Sequence, residues 1–244
     1  MTPTTGEPRA TGPAGPELSA DTTPAIEVEE VSRLYGGSWP ALTECSFRVE
    51  RGDFVFILGA TGAGKSTLLR LLYGADRPDS GTVRVLGQDV PNLPPRRLPE
   101  LRKRIGIIFQ DFKLLADRTA AGNLEFVLRA VGTSPELIPG RVHETMTRLG
   151  IIHRRDAYPD ELSGGEQQKV SIARAFVKEP ELILADEPTG NIDPRGSADI
   201  LNILKDFNYR GTTVVMATHN ADLALGSRRR CVTLDAGRVV RDED

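Results

Sequence analysis

The stretch from Phe56 to Leu72, FILGATGAGKSTLLRLL, constrains the fold of this chain more than any other. It reads as an apolar strand, a glycine-rich turn and a helix, and Gly59 is followed after four residues by Gly-Lys-Ser. Glycines let backbone N–H groups approach phosphate oxygens, and a helix that begins near Gly64 points its positive end at them. The pattern predicts a nucleotide phosphate loop, against the alternative of an ordinary strand–turn–helix connection.

We expect the phosphates to contact the whole loop, because its backbone amides surround them. Lys65 is expected to reach the β- and γ-phosphates, where it contributes to catalysis, and the hydroxyl of Ser66 to ligate magnesium. The predicted nucleotide-binding residues of the loop are Gly59, Ala60, Thr61, Gly62, Ala63, Gly64, Lys65, Ser66 and Thr67.

Length and composition exclude several classes of protein. The chain has 244 residues and a net charge of −3, which favours one large domain and argues against a general nucleic-acid binder. Its two cysteines, Cys45 and Cys231, form no disulfide framework or metal spacing, as expected in a reducing cytosol. No apolar run approaches the roughly 18 to 20 residues that span a bilayer, and the first residues do not resemble a secretory signal. We therefore expect membrane attachment only through another chain, at the cytoplasmic face of the membrane.

The alternation of apolar strands with amphipathic helices predicts an α/β fold. We expect a P-loop NTPase with a RecA-like core and a mainly parallel sheet. Residues 1–24 are rich in Thr, Pro and Gly and are predicted to be a disordered tail before a domain at 25–244. The strand-like segments near Ile26 and at 42–50 predict an N-terminal antiparallel β-subdomain, and the helical pattern predicts an inserted helical subdomain at roughly 111–178.

Polar residues end several of the predicted strands, and in a parallel sheet such ends meet at one edge. Asp186 follows an apolar strand and is expected to hold magnesium, while Glu187 is placed to act as general base. His219 ends another strand, where it is either a γ-phosphate contact or an ordinary packed histidine. Gln110 ends a third strand and points toward the same crevice. Alternatively, Asp186 and Glu187 are only a structural acidic doublet, ion-paired with basic groups at the end of the strand.

Two further elements are ambiguous by themselves. Tyr35, on a glycine-flanked loop, is either a stacking platform for a purine base or an ordinary packed tyrosine. Ser163-Gly164-Gly165 precedes a long helix and is either a second anion site or a plain helix cap. Because a second phosphate-binding element in one chain is redundant for one nucleotide, we expect a two-fold dimer in which each Ser-Gly-Gly closes the partner's site.

The motifs GATGAGKST, LSGGEQQ, LILADEP, NIDP and THN, with the glutamine of IIFQ, resemble those of the ATP-binding cassette ATPases over residues 26 to about 240. The resemblance implies a homodimer that closes on two ATP molecules, hydrolyses them with magnesium and drives an integral membrane partner. It implies that Tyr35 stacks on adenine and that Gln110 contacts magnesium and water and senses the partner. It also implies that Asp193 couples the two sites and that Glu187 and His219 form the catalytic pair.

Within that family, ADEPTGN and the run FQDFKLL at 109–115 are most similar to the cell-division branch. Two departures are Ile192, where leucine is usual, and the segment 119–123, which lacks an acidic residue common in relatives. The alternative within the family is the ATPase of a lipoprotein-release or macrolide-type exporter. A soluble repair or translation ATPase is disfavoured by the single cassette and by the spacing of about 100 residues between the two phosphate-binding motifs.

Overall fold

The computed structural model describes residues 23–190 and 192–243, in which strands and helices alternate. The strands are β1 (Ile26–Tyr35), β2 (Trp39–Val49), β3 (Phe54–Leu58), β4 (Ser80–Val85), β5 (Gln88–Asp89), β6 (Ile105–Ile108), β7 (Leu182–Asp186), β8 (Thr213–Thr218), β9 (Cys231–Asp235) and β10 (Arg238–Glu243). The α-helices are α1 (Lys65–Leu72), α2 (Leu98–Lys103), α3 (Ala120–Val131), α4 (Ile138–Arg148), α5 (Gly164–Phe176), α6 (Pro194–Tyr209) and α7 (Ala221–Gly226). The predicted tail lies outside the described residues except for positions 23 and 24.

A six-stranded sheet of order β10-β9-β3-β8-β7-β6 forms the centre of the fold. All its neighbouring pairs are parallel except β9 with β10, so the predicted mainly parallel sheet is confirmed. The register brings Leu58 beside Thr218 and Asp186 beside Ala217. The carboxyl ends of β3, β7 and β8 therefore lie side by side, which is where an open α/β sheet binds its ligands.

A second, antiparallel sheet has the order β2-β1-β4-β5 and contains the predicted N-terminal strand pair. Strand β2 begins earlier than the sequence indicated, at Trp39, which pairs directly with Tyr35. Gly36 and Gly37 permit this tight turn, since their φ angles of 60° and 74° lie in the left-handed region that favours glycine.

Strand β3 separates two hydrophobic cores, because its side chains alternate between the faces of the sheet. Phe54, Phe56 and Leu58 pack on one side with residues of α3, α4, α5 and α6. Val55 and Ile57 pack on the other side with the antiparallel sheet and with α1 and α2. Every residue of β3 is buried, so the strand that leads into the phosphate loop is fixed on both faces.

Helices α3, α4 and α5 lie between β6 and β7 in the chain and contact one another. They belong to the segment that the sequence assigned to a helical subdomain. None of the helices in the described part of the chain is long and apolar enough to cross a membrane.

Candidate active site

The phosphate loop joins the end of β3 at Leu58 to the start of α1 at Lys65. Gly64 has a φ of 104°, and a Cβ atom there would lie 2.4 Å from the carbonyl oxygen of Ala41, so conformation and space both require glycine. No side chain caps the amino end of α1, so the N–H groups of its first turn are offered to a ligand.

Lys65 is buried, with 6% of its surface exposed, and its ammonium group lies inside the loop. The Nζ atom donates to the carbonyl oxygens of Gly59 at 2.8 Å and Ala60 at 3.1 Å. It also lies 3.2 Å from Oε1 of Glu187, a residue 122 positions further along the chain. The loop and the acidic end of β7 therefore form one charged centre.

Glu187 directly follows β7 and holds its carboxylate between two partners. Its Oε2 atom lies 2.9 Å from the ring nitrogen Nδ1 of His219. The backbone N–H group of His219 donates to the same oxygen at 3.3 Å. The backbone of Glu187 has a φ of 46° and its N–H group donates to the carbonyl oxygen of Ala217 at 3.0 Å. The predicted convergence of Lys65, Glu187 and His219 is thus present in the fold.

Asp186, the last residue of β7, has a buried Oδ1 atom without a hydrogen-bond partner among the described residues. Burial raises the pKa of this carboxyl group, although the hydrogen bond from Ser66 and the charge of Lys65 oppose the shift. A buried acceptor beside a hydroxyl group is suited to a cation that prefers oxygen ligands. Ser66, Gln110 and Asp186 together line a cavity of about 460 Å³.

A second cavity, of about 350 Å³, has the phosphate loop as one wall and contains the catalytic candidates. Its lining residues include Tyr35, Trp39, Thr61, Gly62, Gly64, Lys65, Ser66, Thr67, Gln110, Glu187 and His219. Three of the predicted loop contacts, Gly59, Ala60 and Ala63, are not among them, and the side chain of Ala63 packs into the core.

Tyr35 is held at the edge of this cavity by residues from the turn after α1. Its hydroxyl group donates to Asp76 at 2.9 Å and lies 3.5 Å from Oγ1 of Thr67. Arg33 pairs with Asp76 at 2.8 Å and lies over the tyrosine ring, 5.0 Å from its centroid. No motif pointed to Asp76, because it lies in a stretch whose residues predict only a turn.

Ser163 caps α5 and lies outside both cavities of its own chain. Its hydroxyl group donates to Glu166 Oε2 at 2.8 Å, and its backbone N–H group donates to the same oxygen at 2.8 Å. These bonds, with one from Arg154, lower the pKa of Glu166 to about 2. Gly164 is exposed and Gly165 half-buried in the first turn of α5, and neither lines the cavity at the chain's own phosphate loop.

Asp193 caps the next helix, α6. Its Oδ1 atom accepts from the backbone N–H groups of Arg195 at 2.9 Å and Gly196 at 3.0 Å, and the side chain is exposed. Like Ser163, Asp193 is absent from the lining of both cavities. The structure thus brings together one group of the predicted site residues and leaves the other group at the surface.

The segment after Gln110 is attached to α5 by bonds that the sequence did not predict. Ser171 donates to the carbonyl oxygen of Phe112 at 3.2 Å, and the Arg174 guanidinium donates to the same oxygen at 2.8 Å and to that of Lys113. Phe112 and Lys113 both have left-handed φ angles, 58° and 51°, so these contacts hold a strained turn in place.

The sequence and the fold are both similar to those of known proteins. A family model described as ABC transporter matches residues 42–190. The cell division ATP-binding protein FtsE of Mycobacterium tuberculosis is 46% identical over 219 residues, covering 89% of this chain and 95% of its own length. FtsE of Bacillus subtilis is 41% identical over 218 residues, covering 89% and 96%, and FtsE of Escherichia coli is 43% identical over 214 residues, covering 88% and 96%.

Two solved structures show the same fold. A dimeric ATP-binding cassette in a post-hydrolysis state, bound to ADP and Pi, has a TM-score of 0.82 and 32% identity, covering 90% of this chain and 98% of that chain. A dimeric bacterial ABC transporter cassette has a TM-score of 0.83 and 33% identity over the same shares of both chains.

Proposed function

This chain belongs to the ABC transporter family as an ATP-hydrolysing nucleotide-binding subunit, and from that premise we propose its partners and the roles of its residues. We propose that two copies close on two ATP molecules and drive an FtsX-like integral membrane partner in cell division and the control of cell-wall hydrolases. The chain then works at the cytoplasmic face of the membrane. The reported relatives carry the cell-division name, and none of them favours the exporter alternative.

The observation that supports the proposed dimer is the separation of the predicted site residues into two groups. Lys65, Glu187 and His219 meet at one cavity, whereas Ser163 and Asp193 lie at the surface outside it. A second copy related by a two-fold axis supplies the missing group to each cavity, and the similar solved structures are dimers.

For hydrolysis, we assign Glu187 as general base and His219 as the residue that orients it. Glu187 takes a proton from the water that attacks the terminal phosphorus, and the bond to ADP breaks as Lys65 neutralises the phosphate charge. Nδ1 of His219 lies 2.9 Å from the Glu187 carboxylate, and in this proposal the imidazole ring holds that carboxylate and contacts the γ-phosphate. The adenine base stacks on Tyr35, whose ring is held by Arg33 and Asp76.

We propose that Ser66, Asp186 and Gln110 would hold Mg²⁺, which would neutralise phosphate charge when bound. The unpartnered Oδ1 atom of Asp186 supports this assignment, since a buried carboxylate oxygen without a hydrogen bond is costly unless it meets a cation.

The membrane partner has a candidate docking groove beside the turn at Phe112 and Lys113. The groove is lined by apolar side chains of β6, α3 and the segment between them, and by four cationic residues: Arg102, Lys113, Arg174 and Lys178. The Lys113 ammonium group is paired with the Asp111 carboxylate at 2.6 Å, and Asp111 does not line the groove. Burial lowers the pKa of Lys178 to about 8, which a nearby carboxylate would reverse. We assign the groove to a cytoplasmic helix of the partner that carries an apolar face and acidic residues.

Charge reversal at Lys113 tests this function. Lys113→Glu should weaken co-purification with the membrane partner about tenfold or more while ATP affinity stays unchanged, because like charge replaces a complementary one. Lys205→Glu on α6 is the matched control and should bind the partner normally. Unchanged co-purification of the Lys113 variant would contradict the docking groove.

A further inference from the structure

Trp39 is the one tryptophan of the chain, and it stands at the mouth of the nucleotide cavity. It is 76% exposed, yet it lines the same cavity as Tyr35 and Lys65. Trp39 lies outside the family motifs described above, and the proposed catalytic steps do not involve it.

The β1–β2 hairpin places Trp39 directly beside Tyr35. The two residues are partners across the antiparallel pair, joined by the turn Gly36-Gly37-Ser38, in which Ser38 N donates to the Tyr35 carbonyl oxygen at 3.4 Å. Side chains of directly opposed residues leave the sheet on the same face, with Cβ atoms about 4.5 to 5.5 Å apart. Both rings therefore border one side of the cavity.

The two aromatic side chains differ in how they are held. Tyr35 is fixed by the hydrogen bond of its hydroxyl group to Asp76 and by Arg33 over its ring. Trp39 has no ring contact or side-chain hydrogen bond among residues 23–190 and 192–243, so it is not packed as part of the fold. An unengaged indole beside a fixed phenol at a nucleotide cavity is suited to a planar apolar ligand.

We infer that Trp39 is a second aromatic contact for the nucleotide base, so that two side chains of one hairpin hold the purine. This inference rests on ATP binding at the cavity and adds a base-contacting residue to it. Base–aromatic stacking does not depend on the phosphates, so Trp39 contributes to affinity for a nucleoside phosphate and contributes nothing for a phosphate chain alone.

The single tryptophan makes the contact directly measurable in the wild-type protein. We expect Mg-ATP and ADP each to change the emission of Trp39 in a saturable way, and inorganic tripolyphosphate with Mg²⁺ to leave it unchanged. The ADP titration separates base contact from dimer closure, which ATP drives. Emission that responds to ATP alone, or equally to tripolyphosphate, would overturn the inference.

Variants measured by calorimetry give the second test. Trp39→Ala should raise the Kd for ATP and ADP about fivefold, leave the Kd for tripolyphosphate unchanged, and be largely rescued by Trp39→Phe. Tyr209→Ala is the matched control, since Tyr209 is also 76% exposed but lies on α6 away from the cavity. Unchanged ATP affinity in Trp39→Ala, or equal weakening of ATP and tripolyphosphate, would contradict a base contact.

Lys65→Ala distinguishes failure of this inference from failure of the nucleotide site. It should abolish binding of both ATP and tripolyphosphate, whatever Trp39 does. If Lys65→Ala bound ATP normally, the cavity would not be the nucleotide site. If Lys65→Ala lost binding but the Trp39 variants bound ATP normally, the cavity would still be the nucleotide site, with Tyr35 as its aromatic contact.

Discussion

Glu187 combines a strained backbone with a tightly held carboxylate. Its φ of 46° lies in a region that non-glycine residues rarely occupy, at a cost on the order of 1 to 3 kcal/mol. The hydrogen bond of its N–H group to Ala217 and the contacts of its carboxylate with Lys65 and His219 maintain that conformation. These contacts hold the carboxylate at the edge of the cavity, as its proposed role of general base requires.

Replacing this carboxylate by an amide separates binding from turnover. Glu187→Gln should bind ATP and remain a closed dimer while phosphate release falls by about 100-fold or more, because an amide does not accept the proton of the attacking water. Phosphate release and size-exclusion chromatography with ATP measure the two effects. Glu179→Gln, an exposed glutamate outside both cavities, is the control, and near wild-type turnover in Glu187→Gln would exclude it as the base.

At the scale of elements, α5 connects two parts of the proposed mechanism. Its amino end carries Ser163, Gly164 and Gly165, and its third and last turns hold the strained segment after Gln110 through Ser171 and Arg174. A helix of 13 residues is stiff, so displacement at one end is carried to the other. We propose that α5 thereby links the contact with a second copy's nucleotide to the groove assigned to the membrane partner.

The cap of α5 predicts a specific pH dependence of stability. The pKa of Glu166 is lowered from 4.5 to about 2, so its ionised form stabilises the fold fully above pH 4.5, and this contribution is lost as pH falls toward 2. Glu166→Gln keeps a side chain that can form the capping box but removes the charge.

Urea unfolding at several pH values tests this cap. Wild type should exceed Glu166→Gln in free energy of unfolding at neutral pH, and the difference should vanish near pH 2. Glu161→Gln, whose carboxylate accepts one backbone hydrogen bond in the preceding turn, is a comparison variant for loss of a single acidic charge. A difference between wild type and Glu166→Gln that is independent of pH would contradict the role of the charge.

At the scale of the whole molecule, the proposed dimer gives each chain half of each catalytic site. The phosphate loop and the ends of β7 and β8 form one half, and the amino ends of α5 and α6 expose the other. Binding of ATP between the two halves makes the nucleotide part of the dimer interface. In the proposed mechanism, closure and reopening of the dimer are coupled to hydrolysis and move the membrane partner.

Complementation between two inactive variants tests this arrangement. Lys65→Ala inactivates one half of the site and Gly165→Asp inactivates the other half. We expect the Gly165→Asp variant to fold, because a Cβ atom at this position meets no atom within 4 Å. An equimolar mixture should recover about a quarter of wild-type turnover, since half of randomly formed dimers contain one intact composite site. The measurement is phosphate release from each variant alone and from the mixture, with circular dichroism to confirm folding. A mixture as inactive as its components would contradict sites shared between chains.

Much of this protein follows from local sequence alone. The loop from Gly59 to Thr67 and the apolar strand before Asp186 specify a phosphate site, because the amide spacing and the strand–turn–helix order are encoded within short segments. The parallel sheet and the meeting of Glu187 with His219 follow as well, since strand ends in such a sheet share one edge. The proposed roles of Ser163 and Asp193 come from the family motifs, since the residues by themselves left these roles open.

Only the tertiary structure decided which distant side chains complete the site. The contacts of Asp76 with Tyr35 and of Arg174 with Phe112 join residues 41 and 62 positions apart, and no local period or motif encodes such a pair. Trp39 came to the cavity because two glycines allow a turn tight enough to place it opposite Tyr35. Sequence determines what each segment forms, whereas packing of the segments against one another fixes which side chains meet, because that depends on register and distance in three dimensions.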